Sequence, residues 1–312
     1  MRMEDCESVS GSGSVCGFTA LNPRIRLLIS DLDNTLYDWL SFFVPSFYAM
    51  VDVAASELGV DRERLLDELR AVHRHYGSSE HPYALLETQT VKARYGWATP
   101  AQQKEILDPA FKAFNAARKA MLRLYPSVSE GLRAIRLSGT RVVAYTESVV
   151  YNVVHRLELL QVLDQIDFVY APSGRGGLGS VLGQPPRRPL PMHKIRLLPP
   201  DHRKPNPAVL LSICREQDAD PAATLYVGDS LIRDIAMANR AGVRSAWARY
   251  GAPADQSLWH RLVRVTHWTE ADVADEARLR NECRDAKPDV EIDSFADLLR
   301  AFDFGTIERK SA

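Results

Sequence analysis

The chain has 312 residues, 46% hydrophobic and 25% charged, and its 39 Lys and Arg against 40 Asp and Glu leave a formal charge of −1. This composition suits a globular fold with a sizeable core and excludes wholesale disorder, a collagen-like repeat and a disulfide scaffold. The balanced charge offers no basic face for a nucleic-acid backbone, and no apolar run approaches the ~20 residues that cross a bilayer. A cytoplasmic protein with neither nucleic acid nor membrane as partner is therefore expected.

Residues 1–23 start with acids, pass through Gly11-Ser12-Gly13-Ser14 and contain no apolar stretch of a secretory signal, so a flexible tail is expected. Ile25 to Ser30, apolar and bounded by Pro23 and an acid cluster, predicts a buried strand. Helical spacing then prevails from about 42 to 124. Asp61 is placed to cap a helix that shows Leu65, Leu66, Leu69 and Val72 on one face, a second helix is expected from near Pro82, and a third runs through Phe111, Phe114, Ala117 and Met121 until Pro126.

Beyond Pro126 the elements alternate. A helix near 128–138 ends at Gly139, followed by a strand at 141–145, a helix at 149–160, a strand at 168–170 and a helix from Pro207 to Glu216. A strand at 224–227, a helix near 231–241 closed by Gly242 and a strand at 243–248 complete the series. Such alternation implies right-handed crossovers and an α/β fold: a Rossmann-like parallel sheet core from 24–40 and 126–312, with an all-helical insert, 41–125, after the first strand. Residues 171–205, rich in Gly, Pro and Arg, are expected to form a long surface loop.

Within that loop Gly174-Arg-Gly176-Gly-Leu-Gly179 matches the dinucleotide fingerprint, and Asp201 follows at a suitable distance. The fingerprint needs a helix opening directly after its glycines, and Pro185, Pro186, Pro189 and Pro191 forbid one. Cys6, Cys16, Cys214 and Cys283 form no Cys-x-x-Cys pair, so reduced thiols are expected in place of a zinc site.

The strongest chemical signal is Asp31-Leu-Asp33-Asn34-Thr35, directly after the first strand. Ligands of parallel α/β sheets bind beyond the carboxyl ends of the strands, and two close carboxylates repel unless a cation or shared proton intervenes. Such a pair suits magnesium, a hard ion that prefers oxygen ligands. Thr146 ends a strand and offers a hydroxyl to an anion, or alternatively an N-cap to the next helix. Lys204, before Pro205-Asn206-Pro207, offers a point charge for acids or phosphate, and Gly228-Asp229-Ser230 with Asp234 adds two further acids at another strand end.

Taken in this order, the four segments resemble the motifs of the haloacid dehalogenase-like hydrolase superfamily, phosphatase type, over roughly 25–250, and the helical insert falls where members carry an α-helical cap. The resemblance implies a magnesium-dependent phosphomonoester hydrolase acting on a small phosphorylated metabolite. In that scheme Asp31 is the nucleophile, forming an aspartyl phosphate, and Asp33 the general acid and base. Thr146 and Lys204 hold phosphoryl oxygens, and the magnesium ligands are Asp31, the backbone carbonyl of Asp33, Asp229 and, directly or at one remove, Asp234. Asp33 argues against a dehalogenase. The wording Asp-Leu-Asp-Asn-Thr-Leu-Tyr resembles the nucleotidase-like branch, which implies a nucleoside 5′-monophosphate; a phosphomutase and a non-catalytic binding scaffold are the alternatives. Glu147, next to Thr146, departs from the usual uncharged residue, and the loop before Lys204 is longer than usual.

Other chemistry-bearing residues have plainer readings. His73 and His75 lack the i, i+4 spacing of a helical metal pair, so an ordinary polar helix end is expected. Arg94, Tyr95 and Trp97 either share that reading or contact a substrate from the insert. Arg187, Arg188, His193, Lys194 and Arg196 are expected in a solvated loop, and Phe42, Phe43, Phe47 and Tyr48 to pack the insert onto the core.

Overall fold

The structure, a computed structural model, describes residues 23–81, 83–173, 189–199, 202–252 and 255–305. The tail 1–22, Cys6, Cys16, the glycines of the 174–179 motif, Arg187 and Arg188 lie outside them.

Seven strands make one parallel sheet. They are β1 (Leu27–Ser30), β2 (Arg141–Tyr145), β3 (Phe168–Pro172), β4 (Ile195–Leu198), β5 (Thr224–Gly228), β6 (Arg244–Ala248) and β7 (Val290–Ile292), in the order β4-β3-β2-β1-β5-β6-β7. β1 lies in the middle, with Ser30 opposite Ala144 on one side and Val227 on the other. Burial on both faces is the reason the central strands are apolar throughout. Leu28, Val142 and Leu225 point into one core, Leu27, Ile29, Val143 and Tyr226 into the other. The chain thus has the α/β Rossmann-like fold.

Five helices follow β1 within the insert: α1 (Trp39–Leu58), α2 (Arg62–Tyr76), α3 (Gln89–Tyr95), α4 (Pro100–Ile106) and α5 (Asp108–Met121). Asp61 caps α2 by accepting from the Arg64 amide at 3.0 Å, and Asp38 caps α1 in the same way. α1 runs against α5 and carries the buried Phe42, Phe43, Phe47 and Tyr48; of these, Phe42 covers Arg156 and Tyr48 donates to the Arg261 carbonyl, contacts of the expected kind between insert and core. One sequence expectation needs correction here. Trp39–Leu58 is long and apolar enough to match a membrane span by length and composition, with Asp52 and Glu57 its only charged residues, but most of it is buried inside the fold.

The remaining helices are α6 (Val128–Leu137), α7 (Val150–Leu159), α8 (Pro207–Glu216), α9 (Ala236–Ala241), α10 (Gln256–Val265), α11 (Glu270–Glu282) and α12 (Leu298–Ala301). α6 and α7 cover one sheet face, α8 and α9 the other. Past β6 the chain sends α10 back onto α1 and α2. The loop expected at 171–205 also needs correction, since β4 lies inside it. Of its four residues only Ile195 is buried, as suits a strand at the sheet edge, and flanking Gly and Pro obscured it. Lys194 is correspondingly held within the fold, donating to the carbonyls of Leu163 and Ile166, while Arg196 stays partly in solvent, pairing with Glu216 at the surface and covering the Phe168 ring.

His73 is likewise no ordinary helix end. It is buried against Phe47, and its Nδ1–H donates to the Val265 carbonyl of α10 at 2.7 Å, since a carbonyl only accepts. Burial pushes its pKa down from 6.5 to about 4, outweighing the opposing hydrogen bond. The folded state therefore favours the neutral ring, and the unfolded chain binds the proton more readily between those values. The stability this provides is complete above pH 6.5 and disappears as the pH falls toward 4, a loss of about 3 kcal/mol. Urea unfolding at pH 7 and pH 4.5 should show most of that loss in the wild type and a smaller one in His73→Leu.

Candidate active site

The site is built at the carboxyl edge of β1 and β5. The Asp31 amide still donates to the Val227 carbonyl at 2.9 Å, extending the ladder one residue past β1 and fixing where the Asp31 carboxylate emerges. The chain then turns through Asn34, whose φ of +58° is a left-handed conformation that Asn tolerates. Asn34 Oδ1 accepts from the amides of Trp39 and Leu40, so the same residue launches α1. Gly251 makes this turn possible: a Cβ there would lie 1.7 Å from the Asn34 carbonyl oxygen.

At the end of β5, Ser230 opens a single wide turn, Leu231–Ile235, ahead of α9, and its amide donates to Asp234 Oδ2 at 3.0 Å. Gly228 leaves room for this return, since a Cβ there would stand 2.4 Å from the Asp234 carboxyl carbon. Lys204 arrives from between β4 and α8. Its Nζ donates to Asp31 Oδ1 at 2.5 Å and Asp234 Oδ1 at 2.9 Å, and it rests against the rings of Tyr145 and Tyr226. Tyr226 Oη donates to Asp234 Oδ1 at 2.8 Å, and Thr35 Oγ1 to Asp31 Oδ2 at 3.4 Å.

Ligand oxygens of Asp31, Asp229 and Asp234 all lie within 4.8 Å of one another. Burial, with Asp234 nearby, pushes the Asp31 carboxyl up to about 7 despite Lys204. Burial together with Asp234 and Asp31 holds Asp229 well above the carboxylate range. For Lys204 burial works against the charge, but Asp234 and Asp31 outweigh it and raise the ammonium well above its ordinary value. Three acids against one lysine leave the cluster short of positive charge. A hard divalent cation fits such an all-oxygen group, and these are the residues that would hold it.

Thr146 is buried at the end of β2, its amide bonded to the Tyr170 carbonyl. It does not cap α7, whose N-cap is Val149, and its hydroxyl accepts instead from the Ser148 amide at 3.1 Å. Asp33 stands apart from the three-acid group: its carboxylate accepts from Ser148 Oγ and, at 3.1 Å, from Arg156 Nη1. Glu147 turns to Arg233, which also pairs with Glu276 of α11, so its charge is balanced by a neighbouring cation. Arg94 donates to the Leu58 carbonyl and Trp97 is largely exposed; Tyr95 packs on the core.

Sequence reasoning missed Ser148, Arg156 and Glu80. The signal for Arg156 was present: it shares the buried face of α7 with Val153, Val154 and Leu157, where an arginine needs carboxylate partners.

A family model described as haloacid dehalogenase-like hydrolase matches residues 25–242. The chain is 26% identical over 235 residues to a glyceraldehyde 3-phosphate phosphatase of Methanopyrus kandleri, covering 74% of this chain and 87% of that one. It is 47% identical over 77 residues to an N-acetylmuramic acid 6-phosphate phosphatase of Pseudomonas putida, a stretch covering 23% of this chain and 34% of the relative. Its fold is similar to a 2-haloacid dehalogenase structure from Pseudomonas syringae, with a TM-score of 0.53 at 20% identity over 89% of this chain and 97% of that one.

The Gly228 approach gives a stability test. Gly228→Ala forces Asp234 or β5 to move, at a cost of about 1–3 kcal/mol for overpacking. A lower urea midpoint with an unchanged m-value is expected; an unaltered midpoint would show that Asp234 is not held against Gly228.

Proposed function

The chain belongs to the haloacid dehalogenase-like hydrolase family and is a phosphatase, and we propose that it hydrolyses a small phosphorylated metabolite through an aspartyl phosphate on Asp31. The observation that carries this reading is the convergence of Asp31, Lys204, Asp229 and Asp234 on one sheet edge, although they come from separate parts of the chain.

Phosphoryl transfer depends above all on positioning and charge neutralisation. A carboxylate oxygen of Asp31 forms the new bond to phosphorus as the bond to the ester oxygen breaks, and Asp33 gives that oxygen its proton. Asp33 then takes a proton from the water that attacks phosphorus, releasing inorganic phosphate and restoring Asp31. Lys204 and the Thr146 hydroxyl hold the phosphoryl oxygens. Magnesium is the cation we assign to Asp31, Asp229, Asp234 and the Asp33 backbone carbonyl; when bound it supplies charge neutralisation at the phosphoryl group. The helices of 41–125 act as the cap that shuts out water and selects the substrate, and segment 79–81 of this insert already reaches the residues around Asp33.

The similar phosphatases are named for phosphorylated sugars, which supports a sugar phosphate. The first-motif wording supports a nucleoside 5′-monophosphate. The Glu147–Arg233 pair supports an enzyme over a binding scaffold, because the unusual acid is neutralised and leaves the anion site usable.

Hydrolysis of p-nitrophenyl phosphate, followed by a panel of sugar phosphates and nucleoside monophosphates, tests the reading. Wild type with magnesium should turn over, EDTA should stop it, and Asp31→Asn should lose about a thousandfold or more. Equal rates in all three samples would overturn the assignment. Phosphoryl transfer to a second sugar in place of water would identify a mutase.

A further inference from the structure

Arg156 is among the most enclosed cations of the described residues: its side chain is 5% exposed, yet it has no direct contact with the Asp31, Asp229 and Asp234 group. Its two outer nitrogens serve different layers of the molecule. Nη1 donates to Asp33 Oδ1 at 3.1 Å, while Nη2 donates to Glu80 Oε1, which belongs to the helical insert. Ser148 repeats the bridge, donating to Asp33 Oδ2 and lying 3.5 Å from Glu80 Oε2. Phe42 of α1 covers the guanidinium at 5.2 Å, so the insert supplies both an ionic and an aromatic contact to the same group.

We propose that Arg156 is a positioning residue for Asp33, and that Glu80 and Phe42 make this positioning depend on the seating of the helical insert. A guanidinium is a planar fork, so fixing one nitrogen on Glu80 fixes the direction in which the other is presented. Asp33 has both carboxylate oxygens engaged, one by this fork and one by Ser148, which restricts the rotation of its side chain. When segment 79–81 is seated, the carboxyl is aimed. When it leaves, Arg156 loses its Glu80 anchor and Ser148 loses its contact with the same carboxylate. The inference rests on the reading of Asp33 as the group that protonates the leaving oxygen, and it assigns how that group is held in place and by which layer.

The test compares two esters on the full-length protein, with melting curves as a check of folding. Nitrophenolate leaves as a stable anion, whereas an alkoxide needs its proton, so loss of an aimed acid must slow glycerol phosphate far more than p-nitrophenyl phosphate. Arg156→Lys keeps the charge but not the fork. It should lower kcat/KM, which reports formation of the aspartyl phosphate and excludes the water step common to both esters, by about tenfold or more on the alkyl ester, within the 10²–10⁴ that general acid catalysis supplies, and by less than about threefold on the nitrophenyl ester. Glu80→Ala, at a less enclosed position, should give a smaller loss with the same selectivity. Asp33→Asn sets the full extent of that selectivity. If Asp33→Asn is selective and the Arg156 and Glu80 variants slow both esters equally or not at all, the positioning role is overturned alone. If Asp33→Asn shows no selectivity, the proton-donor reading fails and takes the proposal with it.

Discussion

Everything at the carboxyl edge of this sheet depends on an imbalance of buried charge. Asp31, Asp229 and Asp234 are drawn together by backbone geometry, and among the described residues Lys204 is the one cation hydrogen-bonded to them. Removing like charges from water and placing them side by side is costly unless each is paired. The fold tolerates it because the acids emerge from rigid places: Asp31 on the last rung of a central strand, Asp234 on a turn closed by the Ser230 amide. Such a group attracts whatever restores neutrality, and a divalent cation is one answer. The features that make the cluster reactive are therefore those that make it locally unfavourable, a burden carried by the packed sheet on either side.

How much of this was legible in the sequence follows from the range of the interactions concerned. The central strands and α8 were readable because burial on both sheet faces forces unbroken apolar runs, and because Asn206 and Pro207 mark a helix start. β4 was not, since an edge strand of four residues needs only one covered position, and its neighbours are turn-formers. β7, α10, α11 and α12 carried no motif, and α10 owes its place to contacts with α1 and α2 from far earlier in the chain. α1 was passed over in the other direction: it has the length and composition of a membrane span, and its covered surroundings set it apart from one.

At the site, Asp31, Thr146 and Asp229 were legible from their positions at strand ends, and Asp234 from the first helical turn beyond β5. That Asp33 turns away from the cluster toward Arg156 was not legible, because the partner lies 123 residues further along the chain. Glu147 illustrates the same limit, looking anomalous beside Thr146 until Arg233 is seen against it. Short motifs report what the backbone imposes locally; the partners of a charged side chain are set by the crossing of distant elements.

The return of α10 onto α1 and α2 alters the mechanics of the helical layer. A plate joined to its base by two neighbouring straps, here the segments leading into α1 and out of α5, swings as a door does. A third strap fastened elsewhere removes the free axis, and His73 bolts that strap to the plate through the Val265 carbonyl. Traffic in and out of the edge then falls to bending of the short stretches between helices, such as the one bearing Glu80, and not to rotation of the whole layer.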